Sequence, residues 1–256
     1  MNRIDQLFSK KKNNILSVYF TAGYPHLEDT VSILQALQKH GIDLVEIGVP
    51  FSDPIADGPV IQQSNHIALQ NGMSIHTLFE QLKHIRSHID IPLVLMGYLN
   101  PIMQYGFENF CKACAAVGID GIIVPDLPLA AYIQDYKVIV EKYALNFISL
   151  ITPETSEERI YEIDKHTGGF IYMVSSASVT GVQQSFESRL SYFNRIRNMN
   201  LKNSRLIGFG VSNKTTLKMV IEHASGAIIG SLFINTLTKT TNIELAVTKM
   251  LDDLKN

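Results

Sequence analysis

Short apolar runs rich in β-branched residues recur along this chain of 256 residues, and a longer stretch of helical period follows almost every one of them. Gly, Pro, Asn or Asp opens or closes most of the runs, as is typical of strand ends. A helix between two such strands would cross over one face of a parallel sheet. Eight runs have this character: residues 15–21, 42–47, 93–97, 119–124, 145–150, 170–174, 205–208 and 226–229.

The stretches between the runs predict the covering helices. They include residues 27–40, 74–88, 107–117, 129–143, 156–165, 186–199 and 214–223. Eight strand–helix units in roughly 250 residues match the size of a closed (β/α)8 barrel. We therefore predict an α/β fold, a (β/α)8 TIM barrel forming a single domain over residues 1–256, with an extra N-terminal helix at residues 4–11 before the first strand.

A doubly wound open sheet is the competing fold. Such a sheet usually carries a Gly-x-Gly-x-x-Gly turn after its first strand, whereas residues 21–25 here read Thr-Ala-Gly-Tyr-Pro. No low-complexity linker interrupts the alternation, which favours one closed barrel.

Composition excludes several other classes of protein. Hydrophobic residues make up 46% of the chain and charged residues 18%, with 22 basic against 24 acidic side chains, which excludes intrinsic disorder and does not indicate a nucleic-acid partner. The sequence has no apolar signal segment, and no run approaches the ~20 apolar residues of a membrane span. We expect a soluble cytoplasmic protein.

Two cysteines, Cys111 and Cys114, fall within the predicted helix 107–117. We interpret both as small core residues. A redox-active Cys-x-x-Cys pair is the alternative, but that motif usually opens a helix, and here residues 107–110 already precede it. The lack of a disulfide framework agrees with a cytoplasmic location.

Catalytic groups of such barrels lie where strands end and the following loops begin. In the second strand, alternation places Glu46 on the side that faces into the barrel, opposite to Val45 and Ile47. Burial near the barrel mouth would raise the pKa of this carboxyl toward neutrality. The alternative is a carboxylate paired with a structural Lys or Arg.

The segment 48–59 contains three prolines and two glycines, which predicts a fixed, non-helical path after the second strand. Asp57 lies 11 residues beyond Glu46 in this loop, a span that lets a second carboxylate fold back over the barrel mouth. A simple turn-forming role in the Asp-Gly pair is the alternative. On the sixth strand, Tyr172 shares one side with Phe170 and Val174, and it could equally be a core residue.

Glycines at the ends of the last two strands predict a phosphate site. Gly208 and Gly210 end the seventh strand, and Gly230 with Ser231 ends the eighth, which is the usual phosphate position of such barrels. Glycines let backbone N–H groups approach the oxygens, and a helix starting at Ser231 would add its N-terminal dipole. No nearby Lys or Arg is required.

The run Val-Glu-Ile-Gly-Val-Pro-Phe-Ser-Asp-Pro-Ile-Ala-Asp-Gly-Pro at residues 45–59 closely resembles the signature of the tryptophan synthase α subunit. The resemblance extends over nearly the whole chain, through residues 123–128, 179–181, 208–212 and 226–231. It implies cleavage of indole-3-glycerol phosphate into indole and glyceraldehyde 3-phosphate, a retro-aldol-like step that requires an acid to protonate C3 of the indole.

The same resemblance assigns roles to single residues. Glu46 matches the catalytic glutamate, and Asp57 matches the aspartate that accepts the indole N–H. Tyr172 matches a tyrosine close to the catalytic carboxylate. Thr180 matches the residue that hydrogen-bonds the loop aspartate on closure, and Gly181 contributes a backbone contact to the phosphate.

The sixth loop, residues 175–185, is small, polar and without helical period, as expected for a mobile lid. Many relatives carry an arginine and a glycine where this chain has Ser176 and Ser178, so the lid-ordering contacts and the hinge are expected to differ. The core chemistry should be retained.

The resemblance also implies a partner, a β subunit that holds pyridoxal phosphate in an α2β2 heterotetramer, while this chain needs no cofactor of its own. The second and third loops would face that subunit, with Asp53, Pro54 and Met103 at the interface. Asp53 would meet a basic partner residue, although a loop cap before Pro54 is an equally simple role.

Two other functions remain open from the sequence. The first is a phosphosugar isomerase or epimerase. A metal-dependent enzyme of that type is disfavoured, and no metal site is predicted, because none of the eight histidines lies at a predicted strand end. The second is a catalytically silent barrel that only activates a partner, which the presence of both Glu46 and Asp57 disfavours.

Overall fold

Parallel strands close into a barrel in the computed structural model, which describes residues 1–175, 186–208, 210–240 and 242–255, with the backbone alone at 186–188. Each strand pairs with the next along the chain, and the last pairs with the first. The predicted (β/α)8 TIM barrel is confirmed. The strands are β1 Ile15–Thr21, β2 Leu44–Gly48, β3 Leu93–Met96, β4 Gly121–Ile123, β5 Asn146–Ile151, β6 Phe170–Val174, β7 Ser204–Gly208 and β8 Gly226–Ile229.

Helices surround the barrel and are named in chain order. They are α1 Arg3–Lys10, α2 Asp29–Lys39, α3 Pro59–Gln70, α4 Ile75–Leu82, α5 Leu99–Tyr105, α6 Phe107–Val117, α7 Leu129–Ala131, α8 Lys137–Lys142, α9 Glu157–His166, α10 Phe186–Asn198, α11 Lys214–His223, α12 Ser231–Lys239 and α13 Ile243–Lys255. Three of these, α3, α5 and α13, are additional to the predicted helices.

Several predicted elements differ from the structure in their bounds, and two of these differences have a local cause. The second strand begins at Leu44, two residues later than predicted, because the Asp43 carboxylate accepts hydrogen bonds from the Leu16 N–H (2.8 Å) and Lys11 Nζ (2.6 Å) and holds a turn there. The predicted helix 129–143 is divided by a π-helical turn at Tyr132–Tyr136. The wider turn directs its first and last tyrosines toward aromatic rings of β5 and α6.

The predicted N-terminal helix is present as α1, and it covers the end of the barrel opposite to the loops that follow the strands. Its buried Phe8 packs on Phe170 at the start of β6, with ring centroids 6.0 Å apart. Asn2 caps α1 and donates to the Asp120 carbonyl (2.7 Å), and Arg3 pairs with the Asp120 carboxylate (3.2 Å). The same carboxylate accepts from Arg86 Nη2 at 2.6 Å. A buried carboxylate shared by two partly exposed arginines therefore fastens α1 to the barrel.

Both cysteines lie within α6 as free, fully buried thiols. Burial raises the pKa of Cys111 and of Cys114, so neither resembles a reactive thiolate. Their interpretation as core residues is confirmed. No helix within the described residues has the length and apolar character to cross a bilayer.

Candidate active site

Glu46 lies in the barrel interior on β2 and is fully buried. Its Oε1 accepts a hydrogen bond from Ser17 Oγ at 3.1 Å, while Oε2 is buried without a partner among the described residues. Burial raises the pKa of this carboxyl to about 8, and the Ser17 hydroxyl opposes that shift. The carboxyl is therefore largely protonated at neutral pH.

Asp57 is brought back over the same end of the barrel by the loop that follows β2, and it is also buried. Tyr98, two residues beyond β3, donates from Oη to Asp57 Oδ2 at 3.0 Å and accepts from the Ala56 N–H at 3.0 Å. Burial raises the pKa of Asp57 to about 6, against the lowering effect of the Tyr98 hydrogen bond. This carboxyl is largely ionised at neutral pH, in contrast to Glu46.

Two tyrosines occupy space that glycines leave at the ends of neighbouring strands. A Cβ on Gly48 would lie 2.6 Å from Cζ of Tyr19, and a Cβ on Gly208 would lie 2.6 Å from Cζ of Tyr172. Both tyrosines are buried, and burial raises the pKa of each well above its ordinary value. They therefore remain neutral and define the walls of the site.

A cavity of about 110 Å³ opens between these groups. Its lining includes Asp57, both wall tyrosines and the backbone at the ends of β7 and β8, while Glu46 lies behind this lining. Ile61 and Met96 add apolar surface. A cavity lined by an ionised carboxyl and apolar side chains, with a protonated carboxyl buried behind the lining, suits a partly apolar ligand that undergoes proton transfer.

Backbone N–H groups at one side of the cavity can bind an anion. Gly230 is the N-cap of α12 and makes no side-chain capping bond, and Gly230 and Ser231 both line the cavity. The N–H groups of a first helical turn have no partner within the helix, so this end attracts negative charge. Gly210 also lines the cavity, with a φ of +78° that favours glycine. By contrast, α11 is capped by its own Asn213 side chain.

Sequence reasoning missed two residues that hold the carboxyls, Ser17 and Tyr98. A signal existed for each. Ser17 alternates with Tyr19 and Thr21 on β1, and Tyr98 lies two residues beyond the end of β3, where functional side chains concentrate. Among the described residues, no cluster of three or more His, Cys, Asp or Glu side chains could hold a metal ion.

The sequence matches the family model described as "Tryptophan synthase alpha chain" over residues 5–255. The chain belongs to the tryptophan synthase alpha chain family. The tryptophan synthase alpha chain of Parabacteroides distasonis is 62% identical over 256 residues, with all of both chains covered, and that of Bacteroides thetaiotaomicron is 57% identical with the same coverage. The crystal structure of tryptophan synthase subunit alpha from Legionella pneumophila is similar with a TM-score of 0.90 and 34% identity, covering 99% of this chain and 97% of that one.

Several residues suggested by likeness to tryptophan synthase alpha chains lie away from the cavity. On the second loop Asp53 is exposed while Pro54 is buried, and Met103 on α5 is 47% exposed. Thr180 and Gly181 lie outside the described residues. The same holds for Ser176 and Ser178.

Proposed function

We propose that this chain cleaves indole-3-glycerol phosphate into indole and glyceraldehyde 3-phosphate, as a carbon–carbon lyase and the α subunit of a tryptophan synthase. One observation carries the proposal: two buried carboxyls at one barrel end have pKa values on opposite sides of neutrality, about 8 for Glu46 and about 6 for Asp57. Such a split supplies one proton donor and one fixed negative charge at the same pH. A single barrel domain over residues 1–256 is part of the proposal.

Glu46 acts first as a general acid. The protonated carboxyl donates its proton to C3 of the indole, and the resulting carboxylate removes the proton of the hydroxyl on the adjacent side-chain carbon. The carbon–carbon bond then breaks, its electron pair returns to the ring, and an aldehyde forms at the hydroxyl carbon. Glu46 ends the cycle protonated again, so no further proton source is needed.

Asp57 stabilises the charged intermediate. As a carboxylate it accepts the indole N–H and offsets the positive charge that C3 protonation places on the ring. Tyr98 supports this role because its hydrogen bond favours the ionised form and fixes the carboxylate direction. Loss of a contact of this kind typically costs ~3–4 kcal/mol in the barrier.

The phosphate of the substrate binds the backbone at the ends of β7 and β8. Gly210, Gly230 and Ser231 line that side of the cavity, and the uncapped start of α12 supplies N–H donors. Gly181 would add a further N–H from the sixth loop, and Thr180 would close on Asp57. Tyr172 forms the wall beside the reacting ring.

The proposal includes the assembly. The chain carries no cofactor of its own and acts in the cytoplasm with a β subunit that holds pyridoxal phosphate, in an α2β2 heterotetramer. Asp53 on the loop after β2 and Met103 on α5 are exposed and suit contact with that subunit. Pro54 is buried and would support the loop from within.

Indole formation from indole-3-glycerol phosphate, measured with and without a β subunit, tests the proposal. We expect activity in the isolated chain and a higher rate in the complex. Glu46→Gln serves as the inactive control, since it keeps the shape of the side chain and removes its titrating proton. Activation of a β subunit without any indole formation by the parent chain would instead favour the silent activating subunit.

A further inference from the structure

The catalytic carboxyl proposed above has one hydrogen-bond partner among the described residues, and it comes from the neighbouring strand. Ser17 Oγ lies 3.1 Å from Glu46 Oε1, and both side chains have no exposed surface. In the β1–β2 register Ser17 stands opposite Leu44, whereas Tyr19 stands opposite Glu46. The hydrogen bond therefore runs diagonally, from one inward-facing layer of the barrel to the next.

This contact distinguishes the two oxygens of the carboxyl. Oε1 is held by Ser17, and Oε2 is buried with no partner among the described residues. The Ser17 hydroxyl can donate to Oε1 both when Glu46 is ionised and when Glu46 carries its proton on Oε2, so Ser17 suits both states of Glu46. The oxygen without a partner is the one left free to exchange a proton with a ligand.

The surroundings of Glu46 otherwise oppose its ionisation. Tyr19 on β1 and Tyr172 on β6 are neutral phenols that interact electrostatically with it, and Val94 on β3 is its apolar neighbour in the sheet. Asp57, a further buried acidic group, lines the cavity beside the same two tyrosines. Burial raises the pKa of Glu46, and Ser17 is the group that lowers it. A buried carboxylate without such a donor would be far more costly to form.

We propose that Ser17 is a positioning residue for the lyase reaction: its hydroxyl fixes Glu46 Oε1, leaves Oε2 as the proton-transferring oxygen, and keeps the carboxyl able to ionise during the cycle. The inference rests on the proposed function, because the carboxyl must both give and take a proton. It predicts that removing the hydroxyl makes Glu46 a poorer proton donor to the ring and a stronger holder of its proton.

Ser17→Thr and Ser17→Val form the matched pair, since the two new side chains have the same shape and only threonine carries the hydroxyl. The activity of the parent should fall as pH rises through the pKa of Glu46. We expect this alkaline limb of the pH–rate profile to lie about one unit higher in Ser17→Val than in Ser17→Thr, as for loss of a hydrogen bond to a charged group. The maximal rate of Ser17→Val should fall about tenfold relative to Ser17→Thr.

A second measurement does not depend on activity. The infrared carbonyl band of the protonated Glu46 carboxyl, assigned by difference from Glu46→Gln, is titrated with pH in the parent and in both Ser17 variants. The titration midpoint should rise with valine and return with threonine. If threonine is too large for the buried site and that variant does not fold, Ser17→Ala against the parent gives the same comparison.

Equal midpoints and equal alkaline limbs in the hydroxyl-bearing and hydroxyl-free variants would overturn the role of Ser17. A parent chain that forms no indole would overturn the proposed function instead, and the infrared titration would still decide whether Ser17 controls the ionisation of Glu46. The two failures are therefore distinguishable.

Discussion

Replacing Glu46 with glutamine should change how the stability of the chain depends on pH. Burial raises the pKa of Glu46 from 4.5 to about 8, whereas the unfolded chain releases this proton near its ordinary value. Between the two values the folded state holds a proton that the unfolded state has lost. The free energy of unfolding contributed by this group is therefore highest below pH ~4, decreases as pH rises, and levels off above the folded-state pKa.

The size of the effect follows from the shift. Each pKa unit corresponds to ~1.4 kcal/mol, so the full difference amounts to about 5 kcal/mol between acidic and alkaline pH. Glutamine keeps the volume and an oxygen for Ser17, but it cannot ionise. The stability of Glu46→Gln relative to the parent should therefore increase by up to ~1.4 kcal/mol per pH unit until about pH 8 and then remain constant.

Urea denaturation of both proteins at several pH values from 5 to 9 measures this difference. Glu80→Gln provides the control because the Glu80 side chain is exposed. Its carboxylate lies 3.8 Å from Lys83 Nζ, and an ion pair of this kind on the surface contributes little to stability. We expect the free energy of unfolding of Glu80→Gln to change with pH in parallel with that of the parent. Parallel curves for Glu46→Gln as well would mean that Glu46 ionises in the folded chain as readily as in the unfolded one, and the assignment of Glu46 as an acid at neutral pH would fail.

Tyr98→Phe removes the hydrogen-bond donor to Asp57, so the pKa of Asp57 should rise by about one unit from about 6. The rate of indole formation should then fall about fivefold at pH 6 but little at pH 8. An acidic limb of the pH–rate profile that does not shift would contradict this. Gly48→Ala forces a methyl group against the Tyr19 ring, which should lower the free energy of unfolding in urea by ~1–3 kcal/mol and raise the KM for the substrate. An unchanged KM would show that the Tyr19 ring has room to move. Asp120→Asn leaves two partly exposed arginines without their shared carboxylate and should lower the free energy of unfolding by ~1–3 kcal/mol. A loss below ~0.5 kcal/mol would show that solvent already screens these ion pairs.

Much of the fold could be predicted because its signals are local. Apolar β-branched runs mark the strands, and alternation alone places Glu46 inside the barrel. The helix α3 was missed because its sequence mixes polar and apolar residues with little periodicity, although Pro59 at its first position is a helix-start signal. Local patterns also placed the glycines at the ends of β7 and β8 beside the cavity.

The contacts that set the chemistry could not be predicted in this way. Alternation shows that Ser17 faces inward, but which β2 residue it meets depends on the stagger between strands, a property of the closed barrel as a whole. The bond between Tyr98 and Asp57 likewise joins two loops separated by 41 residues. Such pairings require the three-dimensional register.

The packing of α1 against one end of the barrel constrains the order in which the chain can fold. This helix is synthesised before every strand of the barrel, yet Asp120 lies 118 residues beyond Asn2 and 117 beyond Arg3. Until the sixth strand has been synthesised, the apolar face bearing Ile4 and Phe8 lacks part of its native surface, because Phe8 packs on Phe170. Closing contacts of such high sequence separation carry a large loop entropy and favour late docking. We therefore expect α1 to dock after most of the barrel strands have paired, and in a nascent chain that ends before β6 the apolar face of α1 lacks its native cover.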